Sequence, residues 1–210
     1  MRIGVTGHRP NRLKVPETQL RMQVRAVLKR LMKIARSDAP AGAACLEVIS
    51  PLAEGCDRIV AHEALALGQQ LTAVIPFARR DYEKTFSAPD APAEFRALWN
   101  AARRKIDIKG NPKRQRAAYL AVGNVTVARA DIILTIWDGK AAAGRGGTPE
   151  ILQTAIDFGI PIVWIHATKN VGVRMLLPPA GGGGILELAK GRQKLSFDSW
   201  IPVQTGRPLK

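Results

Sequence analysis

Short apolar runs alternate with stretches of helical periodicity along most of this chain, and that alternation limits the fold more than any other feature. Residues 71–75 (Leu-Thr-Ala-Val-Ile), 131–137 (Asp-Ile-Ile-Leu-Thr-Ile-Trp) and 160–165 (Ile-Pro-Ile-Val-Trp-Ile) are apolar on both faces. Strands have that pattern when helices cover a sheet on each side. Residues 2–6 and 45–50 add two more strands, stopped by Gly7 and Pro51. After Pro16, Leu20, Val24, Val27, Leu28, Leu31 and Ile34 recur at three- and four-residue intervals, which predicts an amphipathic helix. Further helices are expected over about 53–67, closed by Gly68, and over about 93–104 and 114–130. Another begins at Thr148, with its hydroxyl as N-cap, Pro149 at the first helical position and Glu150 in the first turn, and stops at Gly159. Repeated β–α units need crossovers that place helices on both faces of a parallel sheet. The expected fold is α/β, a doubly wound, mostly parallel sheet of about five or more strands flanked by helices. Residues 1–170 carry that pattern, and 171–210 read as a Gly/Pro-rich connector and C-terminal tail.

A chain of 210 residues suits one domain. No apolar run approaches the roughly 18 residues of a membrane span, and no apolar stretch follows residues 2–6 to make a secretory signal. A cytoplasmic protein without membrane contact is expected. Cys45 and Cys56 form no Cys-x-x-Cys pair and read as buried free thiols, and His8, His62 and His166 lie too far apart for a helical ligand pair. Neither a metal nor a cofactor is expected.

Lys plus Arg number 32 and Asp plus Glu 17, a formal charge of +15, and the excess sits in two blocks. Before residue 41, ten basic residues face only Glu17 and Asp38; from Arg103 to Arg116, seven face Asp107 alone. Such blocks attract anions through a long-range field. Within the first block, Arg21, Arg25, Lys29 and Lys33 form an i,i+4 row whose mutual repulsion an acidic partner would relieve.

In doubly wound sheets, ligands sit at the carboxyl ends of the strands near the switch in strand order. The loops there hold the unusual residues. Gly7-His8-Arg9 joins a permissive turn to a cation suited to phosphate or ribose. Ser50 leads to Glu54, Asp57 and Arg58, where acids either complement a helix start or accept ribose hydroxyls. Asp138 and Gly139, then Gly144, Arg145, Gly146, Gly147 and Thr148, expose backbone N–H groups at a helix start, a combination that binds phosphate. Glu150 beside them is either a first-turn acid or a carboxylate that stabilises an oxocarbenium-like ribose. Tyr119 is the aromatic expected to stack on a base, whereas Trp137 and Trp164 read as core.

Gly4 to Arg9, Ser50 to Arg58, Pro76-Phe77, Ala118-Tyr119, Trp137-Asp138-Gly139 and Gly146-Gly147-Thr148 together resemble the SLOG superfamily, over about residues 1–165. That grouping includes the lonely-guy phosphoribohydrolases, the DNA-processing protein A family and nucleotide-sensing domains of bacterial defence systems. The resemblance implies a Rossmann-like pocket for a nucleotide or nucleotide-derived ligand, with Gly146, Gly147 and Thr148 holding phosphate. The phosphoribohydrolases carry Pro-Gly-Gly-x-Gly-Thr-x-x-Glu; here Arg145 precedes Gly146-Gly147-Thr148, and Pro149 alone separates Thr148 from Glu150. Arg116 is the substitute for their catalytic arginine.

Three functions follow as expectations. One is nucleotide binding with hydrolysis of the N-glycosidic bond of a nucleoside phosphate, Glu150 and Arg116 being catalytic. Another is a non-catalytic sensor of an NAD-derived signal. The third is nucleic-acid binding through the Arg21-Arg25-Lys29-Lys33 row and the 103–116 block. A homo-oligomer is the expected assembly.

Overall fold

The computed structural model describes residues 1–36, 46–141, 147–179, 183–190 and 195–197. Its elements run β1 (Arg2–Gly7), α1 (Glu17–Arg36), β2 (Glu47–Ser50), α2 (Cys56–Ala66), β3 (Gln70–Ile75), α3 (Arg79–Glu83), α4 (Ala91–Ala101), β4 (Arg104–Asp107), α5 (Gln115–Arg129), β5 (Ile132–Trp137), α6 (Thr148–Asp157), β6 (Ile162–His166), β7 (Arg174–Leu176), α7 (Ile185–Lys190) and β8 (Leu195–Ser196). The described strands form one sheet in the order β4-β3-β2-β1-β5-β6-β7-β8. Strands β1 to β6 are parallel, and β7 and β8 are antiparallel. This is the doubly wound α/β fold expected from the alternation.

Side chains alternate across the sheet and build two cores. Ile3, Val5, Val48, Leu71, Leu134, Ile136 and Val163 pack with Leu20, Val24, Leu28 and Leu31 of α1 and with Ile59 and Val60 of α2. On the other face, Ile133, Trp137, Ile162 and Trp164 pack with Ile151, Leu152 and Ala155 of α6. Every residue of β5 is buried, as its continuous apolar run requires. At Gly4 an added Cβ would lie 2.9 Å from Ala130 Cβ and 3.1 Å from Thr126 Cγ2, so the end of α5 lies close against β1.

Several elements depart from the sequence expectation, among them α2, which starts at Cys56 rather than near residue 53 and leaves Glu54 in the loop before it. β4 comes from the basic block 103–116, which shows no strand pattern because it is the polar edge of the sheet, with only Ile106 partly buried. α4 stops at Ala101, short of the expected end near 104. The helix start at Thr148 is also corrected: the N-cap is Gly147, and Thr148 is already helical. Beyond residue 170, β7 joins β6, and α7 packs on α6. Cys56 is a buried free thiol, whereas Cys45 lies outside the described residues. No helix among the described residues is long and apolar enough to cross a membrane.

Candidate functional site

Strand order reverses between β1 and β5, so the chain leaves these neighbours on opposite sides and opens a crevice at their carboxyl ends. Three loops meet there. At the exit of β1, the His8 N–H donates to the Ile136 carbonyl at 2.9 Å, and the Cys56 N–H donates to the His8 carbonyl at 3.1 Å. Gly55 makes that second contact feasible: its φ is +92°, and a Cβ there would lie 2.5 Å from the His8 oxygen. Gly7 likewise has no room for a side chain, since a Cβ would meet Cys56 Sγ at 2.4 Å. The first loop is thereby fixed to the start of α2 and the end of β5.

His8 is buried, with Nε2 3.0 Å from Asp138 Oδ1. The same nitrogen lies 3.3 Å from the Asp138 N–H, and it can serve only one of them; protonated, it donates to the closer Oδ1. Burial pulls the His8 pKa down, against the raising effect of the Asp138 hydrogen bond. Arg12 donates to Asp138 Oδ2 at 2.7 Å, and the Lys140 N–H donates to Oδ1 at 3.0 Å. Burial alone would raise the Asp138 pKa, yet the hydrogen bonds from His8 and Arg12 bring it to about 2. His8 and Asp138 therefore engage each other and lock the first loop to the β5 loop.

In the second loop, Glu54 is buried and accepts from Arg9 Nη1 at 3.0 Å, from the Ser87 N–H at 2.9 Å and from the Ala88 N–H at 3.0 Å. Arg9 keeps 36% of its side chain exposed, whereas its partner Glu54 is buried. Ser50 Oγ donates to the Asp57 carbonyl at 3.1 Å and accepts from the Leu52 N–H at 3.2 Å, holding a turn in which Leu52 has a φ of +58°. Arg58 is buried, donating to the Leu52 carbonyl, the Ala91 carbonyl and Glu94, with its guanidinium 4.4 Å from the Phe86 ring centroid. It is a cation of the interior. Asp57 is also buried; Oδ2 accepts from the Ala53 N–H, while Oδ1 has no hydrogen-bond partner. Burial raises its pKa to about 7, against the opposing pull of the Ala53 N–H, Arg9 and Arg58.

Gly147 is the N-cap of α6 and makes no side-chain cap hydrogen bond, and Thr148 and Glu150 lie in the first turn of that helix. Gly146, with Gly144 and Arg145, lies outside the described residues. Gly139 has a φ of +77° and abuts Trp164, 3.2 Å from where a Cβ would stand. Tyr119 is half-buried at the rim of an aromatic cluster, 6.1 Å from Phe77 and 6.5 Å from Tyr82. Arg116 is exposed on the first turn of α5, and among the described residues it makes no ion pair. α5 and α6 touch closely at Gly123, where a Cβ would meet Ile151 Cδ1 at 2.1 Å.

The structure adds residues to which no sequence motif points: Arg12, which reaches Asp138 across 126 positions, and the Ser87 and Ala88 N–H groups that fix Glu54. Among the described residues, no group of three or more His, Cys, Asp or Glu side chains could hold a metal ion.

No protein-family model matches the chain, and no curated protein does. Among solved structures, the fold is similar to that of DNA processing protein A from Streptococcus pneumoniae, with a TM-score of 0.53 and 16% identity over 78% of this chain. The match covers 49% of that protein, so the chain spans about half its length. At this identity the likeness is one of fold.

Proposed function

We propose that the crevice at the carboxyl ends of β1 and β5 binds a nucleotide or nucleotide-derived ligand. The observation that supports this reading is the strand-order switch itself: the loop after β1, which carries Arg9, and the connection from β5 to the start of α6 at Gly147 and Thr148 both leave neighbouring strands at their carboxyl ends. A helix start uncapped by a side chain offers N–H groups and the positive end of its dipole to an anion. Phosphate sits there, Arg9 donates to it through the N–H groups that Glu54 does not take, and Tyr119 meets the base. Glu150, in the first turn of α6, supports positive charge developing on the ribose as an N-glycosidic bond breaks, and Arg116 steadies the phosphate.

Calorimetric titration with AMP, NAD and ADP-ribose, followed by chromatography of the incubated mixtures, tests both parts. Binding that weakens tenfold or more in Arg9→Ala supports the crevice; equal affinity in that variant removes it. Release of free base that disappears in Glu150→Gln assigns hydrolysis. Intact ligand after long incubation with stoichiometric protein assigns the sensor reading instead.

A second reading rests on a separate observation. Arg103, Lys105, Lys109, Lys113, Arg114 and Arg116 are all exposed, and among the described residues none makes an ion pair. The solved structure of similar fold is named for DNA processing. On this reading the β4 edge and the start of α5 hold the phosphates of a nucleic-acid strand. Affinity for a single strand then falls steeply as salt rises.

A further inference from the structure

A second cavity, of about 250 Å³, opens at the carboxyl ends of β5 and β6. Its lining includes Gly139, Trp164, His166, Lys169, Arg174 and Ala189 of α7. The added strand β7 builds one side: Arg174 stands directly opposite Trp164 in the antiparallel pair, which sends both side chains to the same face of the sheet. Three rings build the wall. Trp137 and Trp164 lie 5.5 Å apart at 43°, and Trp164 and His166 lie 5.5 Å apart at 27°. Trp137 and Trp164 are buried, whereas His166 is half-exposed, which puts the imidazole at the open end of the ladder. The Thr168 N–H donates to His166 Nδ1 at 3.2 Å.

The charge of this cavity is unbalanced. Among the described residues, neither Lys169 nor Arg174 makes an ion pair. The one carboxylate in the lining, Asp138, already accepts from Arg12 and contacts His8. Two cations in a partly enclosed hollow, with an aromatic ladder beside them, select an anion that carries a flat group. The volume lies below the roughly 300–1,000 Å³ usual for drug-sized ligands and suits a single ring with one acidic substituent.

We infer that this cavity is a second ligand site, separate from the crevice, that takes a small planar anion: a single ring bearing a phosphate or carboxylate. Lys169 and Arg174 hold the acidic group, and the ring lies against the Trp164–His166 wall. Asp138 divides the two sites, its carboxylate turned to His8 and Arg12 and its loop lining the cavity. The inference does not depend on what the crevice binds.

The test is an NMR titration of the ¹⁵N-labelled full chain with phenyl phosphate, with inorganic phosphate as the ring-free probe. Saturable shifts at the amides of Gly139, His166, Lys169 and Arg174 are expected, with a dissociation constant of about 1 mM or lower. Phenyl phosphate should bind at least threefold tighter than phosphate. The Lys169→Ala/Arg174→Ala pair should weaken it tenfold or more, and Lys190→Gln, next to the cavity but outside it, should not. Because Arg174 lies within β7, Lys169→Ala alone provides a variant on an exposed side chain and should weaken binding threefold or more. Absence of saturable shifts at these four amides, equal affinity for the two probes, or unchanged affinity in Lys169→Ala would each overturn the inference.

Discussion

Two basic surfaces have opposite fates in this molecule. On α1, Arg21 and Arg25 reach across to α2, where the buried carboxylate of Glu63 accepts from Arg21 at 3.3 Å and from Arg25 at 2.7 Å. Arg21 is also 2.8 Å from Glu17. On the other side of the sheet, from β4 to the start of α5, Arg104 alone has an ion pair, 3.6 Å from Glu47, and the other basic residues of 103–116 have none among the described residues. Asp107, the only acid there, accepts from the Lys109 N–H. The first surface is therefore partly an internal joint between helices, and the second is a free electrostatic field. Net charge by itself separates neither case; the long-range field of a surface comes from the cations that the fold has left unneutralised.

The sharpest way to break this comparison is to strip the free surface. Lys105→Gln, Lys109→Gln, Lys113→Gln and Arg114→Gln together should lower single-strand affinity by about a hundredfold and flatten its log–log salt slope by roughly 3, with stability unchanged within about 0.5 kcal/mol. Fluorescence anisotropy across salt concentrations reads the first two effects; unchanged affinity would return these residues to ordinary solvated surface. Stripping the joint should do the reverse. Glu63→Ala leaves Arg21 and Arg25 without their shared acceptor and should cost about 2 kcal/mol, a fall in Tm of about 5 °C, with nucleic-acid binding intact. A Tm within 1 °C of wild type in calorimetry would count against the joint.

Asp57 extends the comparison to a carboxylate. Its folded pKa of about 7 exceeds its ordinary 3.8, so the native state holds the proton more tightly than the unfolded chain. Its contribution is complete below the ordinary value and is lost as pH rises toward about 7. Asp57→Asn should flatten the decline in stability between those limits and leave the variant roughly 1 kcal/mol more stable at pH 8. Urea titrations at a series of pH values decide it, and a parallel decline in both proteins would show that Asp57 is ionised throughout. The smallest effect is expected on the outer half of the α1 row. Lys29 and Lys33 are exposed and have no ion pair among the described residues, so Lys29→Gln/Lys33→Gln should change stability by less than about 0.5 kcal/mol. If single-strand affinity fell with that pair as it does with the β4 edge variants, the nucleic-acid surface would have to include α1.

The central strands and major helices were readable in advance because their signal is local. Continuous apolar runs mark β3, β5 and β6, and the 3.6-residue period marks α1. β4 was not readable: an edge strand with exposed Arg104, Lys105 and Asp107 has the composition of a loop, and only its pairing with β3 makes it a strand. The candidate site was legible as a set of loops but not as a set of roles. Glu54, Asp57 and Arg58 sit close together in sequence, yet Glu54 anchors the turn at Ser87 and Ala88, Arg58 is buried against Phe86, and Asp57 keeps an unpartnered oxygen.

The sequence by itself determined the alternation of strands and helices, the buried faces and therefore the doubly wound sheet, because each depends on side-chain periodicity within a few neighbouring turns. Which charges cancel was decided only in three dimensions. Arg25 and Glu63 are 38 positions apart, and Arg12 and Asp138 are 126 apart, and sheet order brings each pair within 2.7 Å. The sign of a charge belongs to the residue, but its availability to a ligand depends on the partner the fold places beside it, since an ion pair and a solvated cation present very different fields to an incoming anion.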